Sequence, residues 1–94
     1  MAYTVLDHVA VVGGPSASRD TSAADLIAIF VADDSIGTPI DNKSNTWSGL
    51  TTSSAGGPTR GRWWYTRAGT FGTGHTFTAP VSYACVFVVI LSGS

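Results

Sequence analysis

The run "YACVFVVIL", residues 83–91, restricts the fold more than any other stretch of this chain. It is β-branched and aromatic, uncharged, free of proline and far too short to span a bilayer, so it reads as the core of a strand over 82–92. In an antiparallel sheet with one wet face, apolar and polar residues alternate along each strand. Here they do not: Tyr83, Cys85, Phe87, Val89 and Leu91 point one way, and Ala84, Val86, Val88 and Ile90 the other. Both faces therefore call for cover. A small domain buries one of them easily, and the second face, or an edge, of this strand is expected to lie against another copy of the chain. Tyr83, Val86, Val88 and Ile90 are assigned to that subunit contact.

The rest of the sequence repeats the strand-and-turn theme. Residues 3–12, "YTVLDHVAVV", form a strand that stops at Gly13-Gly14-Pro15, and the apolar run at 24–32 reads as a second. "IDNKSNTWSGLTT" reads as a hairpin, with Ile40 and Trp47 on arms flanking a polar turn. Strands follow at 60–67 and within "HTFTAP". Charged residues are only 12% of the chain, glutamate is absent, and Ser, Thr and 11 glycines supply the polarity. Helices normally carry Glu, Lys and Arg on their wet face, so this mixture favours strands and turns. The expected fold is all-β: a small antiparallel β-sandwich, jelly-roll-like, of about seven short strands, with residues 1–94 forming a single domain.

Charge and cysteine usage narrow the function. A net charge of −1 gives no field to recruit nucleic acid or an anionic membrane, so neither is an expected partner. Cys85 is the single cysteine, which excludes an intrachain disulfide framework and a multi-cysteine zinc site. With uncharged neighbours it is expected to be a buried, inert thiol. The opening residues lack a basic region and a long apolar region, so they do not read as a signal peptide.

Alternation along "RGRWWYTR" puts Trp63 and Tyr65 on one face, Arg62 and Trp64 on the other. Trp63 and Tyr65 could form a stacking platform for a sugar or base. Packing is the favoured reading, since a small domain can hardly leave three such side chains wet. His75 and His8 have no nucleophile or orienting acid in a recognisable motif, and each reads as structural, His75 with its ring bonded to turn backbone. "DNKSN", residues 41–45, has Lys43 where a calcium loop needs an oxygen, so it reads as a turn. The glycines of "GTFGTG" match no phosphate loop. Arg19, Arg60, Arg62 and Arg67 are expected to pair with Asp20, Asp25, Asp33 or Asp34. No catalytic residue, cofactor site or metal site is expected.

Asn45, Thr46, Trp47 and Leu50, then Arg62 to Tyr65, then Gly72, Gly74, His75, Thr76, Phe77 and Thr78 form a wider pattern. It resembles a β-sandwich domain of phage virion-associated proteins and of bacterial surface or secreted proteins. The match spans roughly residues 24–93 and carries no catalytic site. Such domains often continue past the strand with which this sequence closes, which argues against a self-contained monomer. The resemblance implies a non-enzymatic structural protein of a phage particle: a capsid decoration, head or tail component. Its partners would be copies of itself and other virion proteins, and it would be made in the host cytoplasm. The alternative is a carbohydrate-binding or adhesion module at a bacterial surface, using Trp63 and Tyr65 to hold a glycan.

Overall fold

Pairing of the β-branched runs produces one large antiparallel sheet and one small one. The computed structural model describes residues 3–33, 37–51, 53–54, 60–67, 69–81 and 84–93. Eight strands lie among them: β1 (Tyr3–Val12), β2 (Leu26–Asp33), β3 (Ile40–Asp41), β4 (Ser48–Gly49), β5 (Ser53–Ser54), β6 (Arg60–Arg67), β7 (Phe77–Thr78) and β8 (Cys85–Gly93). No described residue is helical, and every strand pair is antiparallel. The protein is all-β.

The large sheet has the order β1-β8-β2-β6-β4, with β5 also on β6. Because β4 pairs at Tyr65 and Trp64 and β5 at Gly61 and Arg60, the two short pieces act as one interrupted edge. The Val- and Ile-rich strands β2 and β8 take the middle, where both neighbours satisfy their backbone groups. The other edge, β1, is broken by a register shift between Val5 and Asp7 that leaves Leu6 as the extra residue of a bulge. The small sheet pairs Ile40 with Thr78 and Asp41 with Phe77.

One face of the large sheet is the core. Ile27, Ile29 and Val31 of β2 and Val86, Val88 and Ile90 of β8 are almost completely buried, with Val9 and Trp64 beside them. Phe77, Ala79, Trp47 and Ala84 complete the cluster. The covering layer is irregular. Residues 13–21 run along 72–79, with hydrogen bonds from Ser16 N to Phe77 O, Ala79 N to Gly13 O and a two-way bridge between Arg19 and His75. Gly14 makes this approach possible: a Cβ there would lie 2.9 Å from Thr78 Cα, and its φ of +142° suits only glycine. The shortest principal extent is 19 Å, enough for the sheet and one covering layer.

Three expectations need correction. The segment 40–52 is not a hairpin, because its two arms join different sheets: Ile40–Asp41 pairs with β7, and Ser48–Gly49 with β6. The polar turn between them passes the chain from one layer to the other. Val86, Val88 and Ile90 are core residues of a single chain, at most 1% exposed, and do not face a second copy. Tyr83, the fourth residue assigned to that contact, lies outside the described residues. Cys85 is exposed rather than buried, because it belongs to the opposite face of β8.

Candidate functional site

Two features stand out: a sealed group of polar side chains in the covering layer, and the open outer face of the large sheet. The polar group is built around His75, which follows Gly74 at φ +68° and is fully buried. Its Nε2 lies 2.6 Å from Oδ2 of Asp41, and its Nδ1 2.8 Å from Oγ1 of Thr21. A carboxylate only accepts, so Nε2–H donates to Asp41 and Nδ1 accepts from the Thr21 hydroxyl. Asp41 Oδ1 accepts from Asn45 N, and its Oδ2 from Asn45 Nδ2. Thr21 Oγ1 accepts in turn from Gly72 N at 3.0 Å. The imidazole stacks on Phe77, with ring centroids 4.4 Å apart.

Burial holds the His75 pKa below the ordinary histidine value, because the apolar surroundings penalise the charged ring. The hydrogen bond to Asp41 and its negative charge oppose that shift, and Lys43 reinforces it. The ring bonds two side chains rather than the turn backbone that was expected. Thr21 and Asp41 were not foreseen as its partners, being far away in sequence. Thr21, His75 and Asp41 have the composition of a nucleophile–base–acid relay, yet Thr21 and His75 are 0% exposed.

The "DNKSN" segment is the turn expected, and its side chains staple it to the loop that precedes β7. Asn45 Oδ1 accepts from Thr70 N at 2.6 Å and its Nδ2 donates to Thr70 O. Asn42 makes the equivalent pair with Thr76 N and Gly74 O. Two of the expected arginine partners, Asp20 and Asp25, are engaged elsewhere, and Asp34 and the side chain of Asp33 lie outside the described residues. Arg19 meets Asp7 at 3.1 Å, whereas Asp20 accepts from Ser22 and Asp25 from Gly93 N. Arg62 lies 4.5 Å above the Trp64 ring and donates from Nε to Leu50 O. Among the described residues no three His, Cys, Asp or Glu come together as metal ligands, and no helix is long and apolar enough to cross a membrane.

The outer face of the large sheet follows from the strand registers. Opposite the core residues, β8 presents Cys85, Phe87, Val89 and Leu91, in register with Ala32, Phe30, Ala28 and Leu26 of β2. On the flanks, β1 adds His8, Ala10 and Val12, and β6 adds Trp63 and Tyr65. Phe87 is 43% exposed, Trp63 40%, Tyr65 36% and Val12 64%, so no layer among the described residues covers them. Phe30 lies over Gly61, where a Cβ would collide with its ring, and tilts against Trp63 at 5.1 Å. Two shallow apolar depressions mark the face. One is lined by Val12, Phe30, Cys85 and Phe87, the other by Leu26, Leu50, Trp63 and Tyr65.

Trp63 and Tyr65 thus share an exposed face, as alternation predicted, with Arg62 and Trp64 turned inward. The both-sided apolar character of β8 was visible in the sequence. What it lacked was any sign of which face would be inside. No protein-family model, curated protein or solved structure matches the chain.

Proposed function

We propose that the chain is a non-enzymatic structural protein of a phage particle, a capsid decoration, head or tail component that docks to its neighbours through the outer face of the large sheet. The observation that carries this reading is that face: a contiguous apolar surface from Val12 across Phe87 and Phe30 to Trp63, left to water. Contiguous exposed apolar surface marks interaction sites. Among the described residues, the Thr21–His75–Asp41 group supports the same reading, since Thr21 is sealed away and its hydroxyl is engaged by Gly72 and His75. We read the fold as one half of a sandwich-like arrangement, in which a neighbour's surface supplies the missing layer. The test is mass spectrometry of purified particles from the culture that yields this protein. The chain is expected in banded virions at many copies each. Its recovery only in cell-envelope or secreted fractions overturns the reading.

One observation favours a second reading, a carbohydrate-binding or adhesion module of a bacterial surface. Trp63 and Tyr65 flank an open depression with Leu50 and Leu26, and exposed neighbouring aromatics stack on sugar rings. Glycan-array binding that is lost in Tyr65→Ala, with the fold intact, would establish it.

A further inference from the structure

We infer that the outer face of the large sheet docks face to face on a second copy of this chain, related by a two-fold axis. The inference rests on the structural-protein reading above and names its partner. Three properties of the face point to a copy of itself. The first is extent. Four strands at about 4.8 Å spacing, over seven residues at about 3.4 Å each, give a projected area of about 450 Å². Two such faces exclude about 900 Å² in projection, which is the scale of a weak or transient specific contact. The area is that of a modest dimer, not of an obligate one.

The second property is charge. Along β8 and β2 the outward residues are all uncharged, and the flanking strands add only His8 and, at the rim, Arg67. A two-fold contact sets a surface against itself, so any strong charge near its centre would meet its own like. Here the centre is Phe87, with Phe30 beside it in register, and nothing there repels a copy. Two sheets pack aligned, about 10 Å apart, by interdigitating such rows.

The third property is the state of the edges. Strand addition at β1 meets the bulge at Leu6, and the opposite edge is divided between the two-residue strands β4 and β5. Such edges are poor templates for another strand. The face is the continuous surface and the edges are not.

Cys85 reports on the contact without a label, because it lies on this face and is exposed in the single chain. The experiment pairs sedimentation equilibrium with the alkylation rate of Cys85, both from nanomolar to high-micromolar protein. Wild type is expected to pass from monomer to dimer mass while the alkylation rate falls by at least about tenfold. Phe87→Glu, which alters no core residue, is expected to stay monomeric and react at the dilute rate throughout, with an unchanged circular dichroism spectrum. A wild-type mass that stays monomeric with one alkylation rate at all concentrations overturns the proposal, as does protection of Cys85 that appears only when another particle protein is added. Failure of the wider reading looks different: a dimer with protected Cys85 that is absent from purified particles supports the two-fold contact and removes the virion role.

Discussion

Acid should loosen this protein through one side chain, His75. In the folded chain its ring is wholly buried and its pKa is depressed, with burial the larger cause and Lys43 adding to it. In the unfolded chain it titrates near the ordinary value of about 6.5. The unfolded state therefore binds more protons between the two values, and stability falls as pH drops below about 6.5 until the folded ring is itself protonated. A single proton limits the slope to about 1.4 kcal/mol per pH unit. Hydrogen bonding is not what opposes protonation. When Nδ1 becomes a donor, the Thr21 hydroxyl can turn to Gly72 O, 3.2 Å away, and Asp41 still accepts from Nε2. The penalty is desolvation of the charged ring, partly offset by Asp41.

The assay is urea unfolding followed by tryptophan fluorescence, from about pH 8 to about pH 5, which brackets the histidine range. Protein concentration must be fixed, because self-association shifts apparent stability. The control is His75→Gln, whose amide keeps a donor for Asp41 and an acceptor for Thr21 but binds no proton. It should be less stable by roughly 1–3 kcal/mol at neutral pH and should lack the share of the acid slope that wild type owes to His75. Equal slopes in the two proteins would refute the reasoning. So would a wild-type stability that rises below about pH 6.5, because that sign belongs to a histidine whose folded pKa is raised by its carboxylate partner.

Other side chains give sharper single tests. Trp47 is 7% exposed and meets Phe77 edge-on at 6.4 Å, so Trp47→Ala should cost roughly 3–5 kcal/mol in thermal or urea unfolding. Its indole N–H has no acceptor among the described residues, so Trp47→Phe should cost clearly less than Trp47→Ala. Val88→Asp places an unpaired charge in the core and should unfold the monomer itself, seen by circular dichroism, rather than merely dissociate a dimer. Asn45→Ala removes the bonds to both Asp41 and Thr70 and should cost roughly 1–3 kcal/mol, with hydrogen exchange rising first at the Thr70 amide.

Much of the fold was legible because local chemistry and final structure agree. Strands β1 and β6 fall at 3–12 and 60–67 as read, where β-branched and aromatic residues are bounded by Gly, Pro and Ser. The error at 40–52 has a physical cause. A turn that closes on its own Asp and Asn side chains looks the same in sequence whether its arms pair with each other or with distant strands. Here Ile40 finds Thr78 and Ser48 finds Tyr65, partners that no local pattern specifies. The inside and outside of β8 were illegible for a related reason. Period-2 alternation separates faces only when their polarities differ, and "CVFVVIL" is apolar on both. Burial is decided by which side receives Trp47 and Phe77, a matter of tertiary layering. The same limit hid Thr21 and Asp41 as partners of His75, although Trp63 and Tyr65 were placed correctly by alternation alone.

The position of β8 between β1 and β2 governs how the protein can come into being. As the chain leaves the ribosome, β1 emerges first and finds nothing to pair with until residues 85–93 have been synthesised. Meanwhile β2 and β6 can already zip together, leaving the bare flank of β2 waiting for the same late segment. Its arrival joins two otherwise separate pieces in one step, so assembly of the sheet is completed only after translation has passed residue 93. Closure across such long stretches of sequence is intrinsically slow, and the interval leaves an unpaired apolar strand at risk of meeting the wrong neighbour.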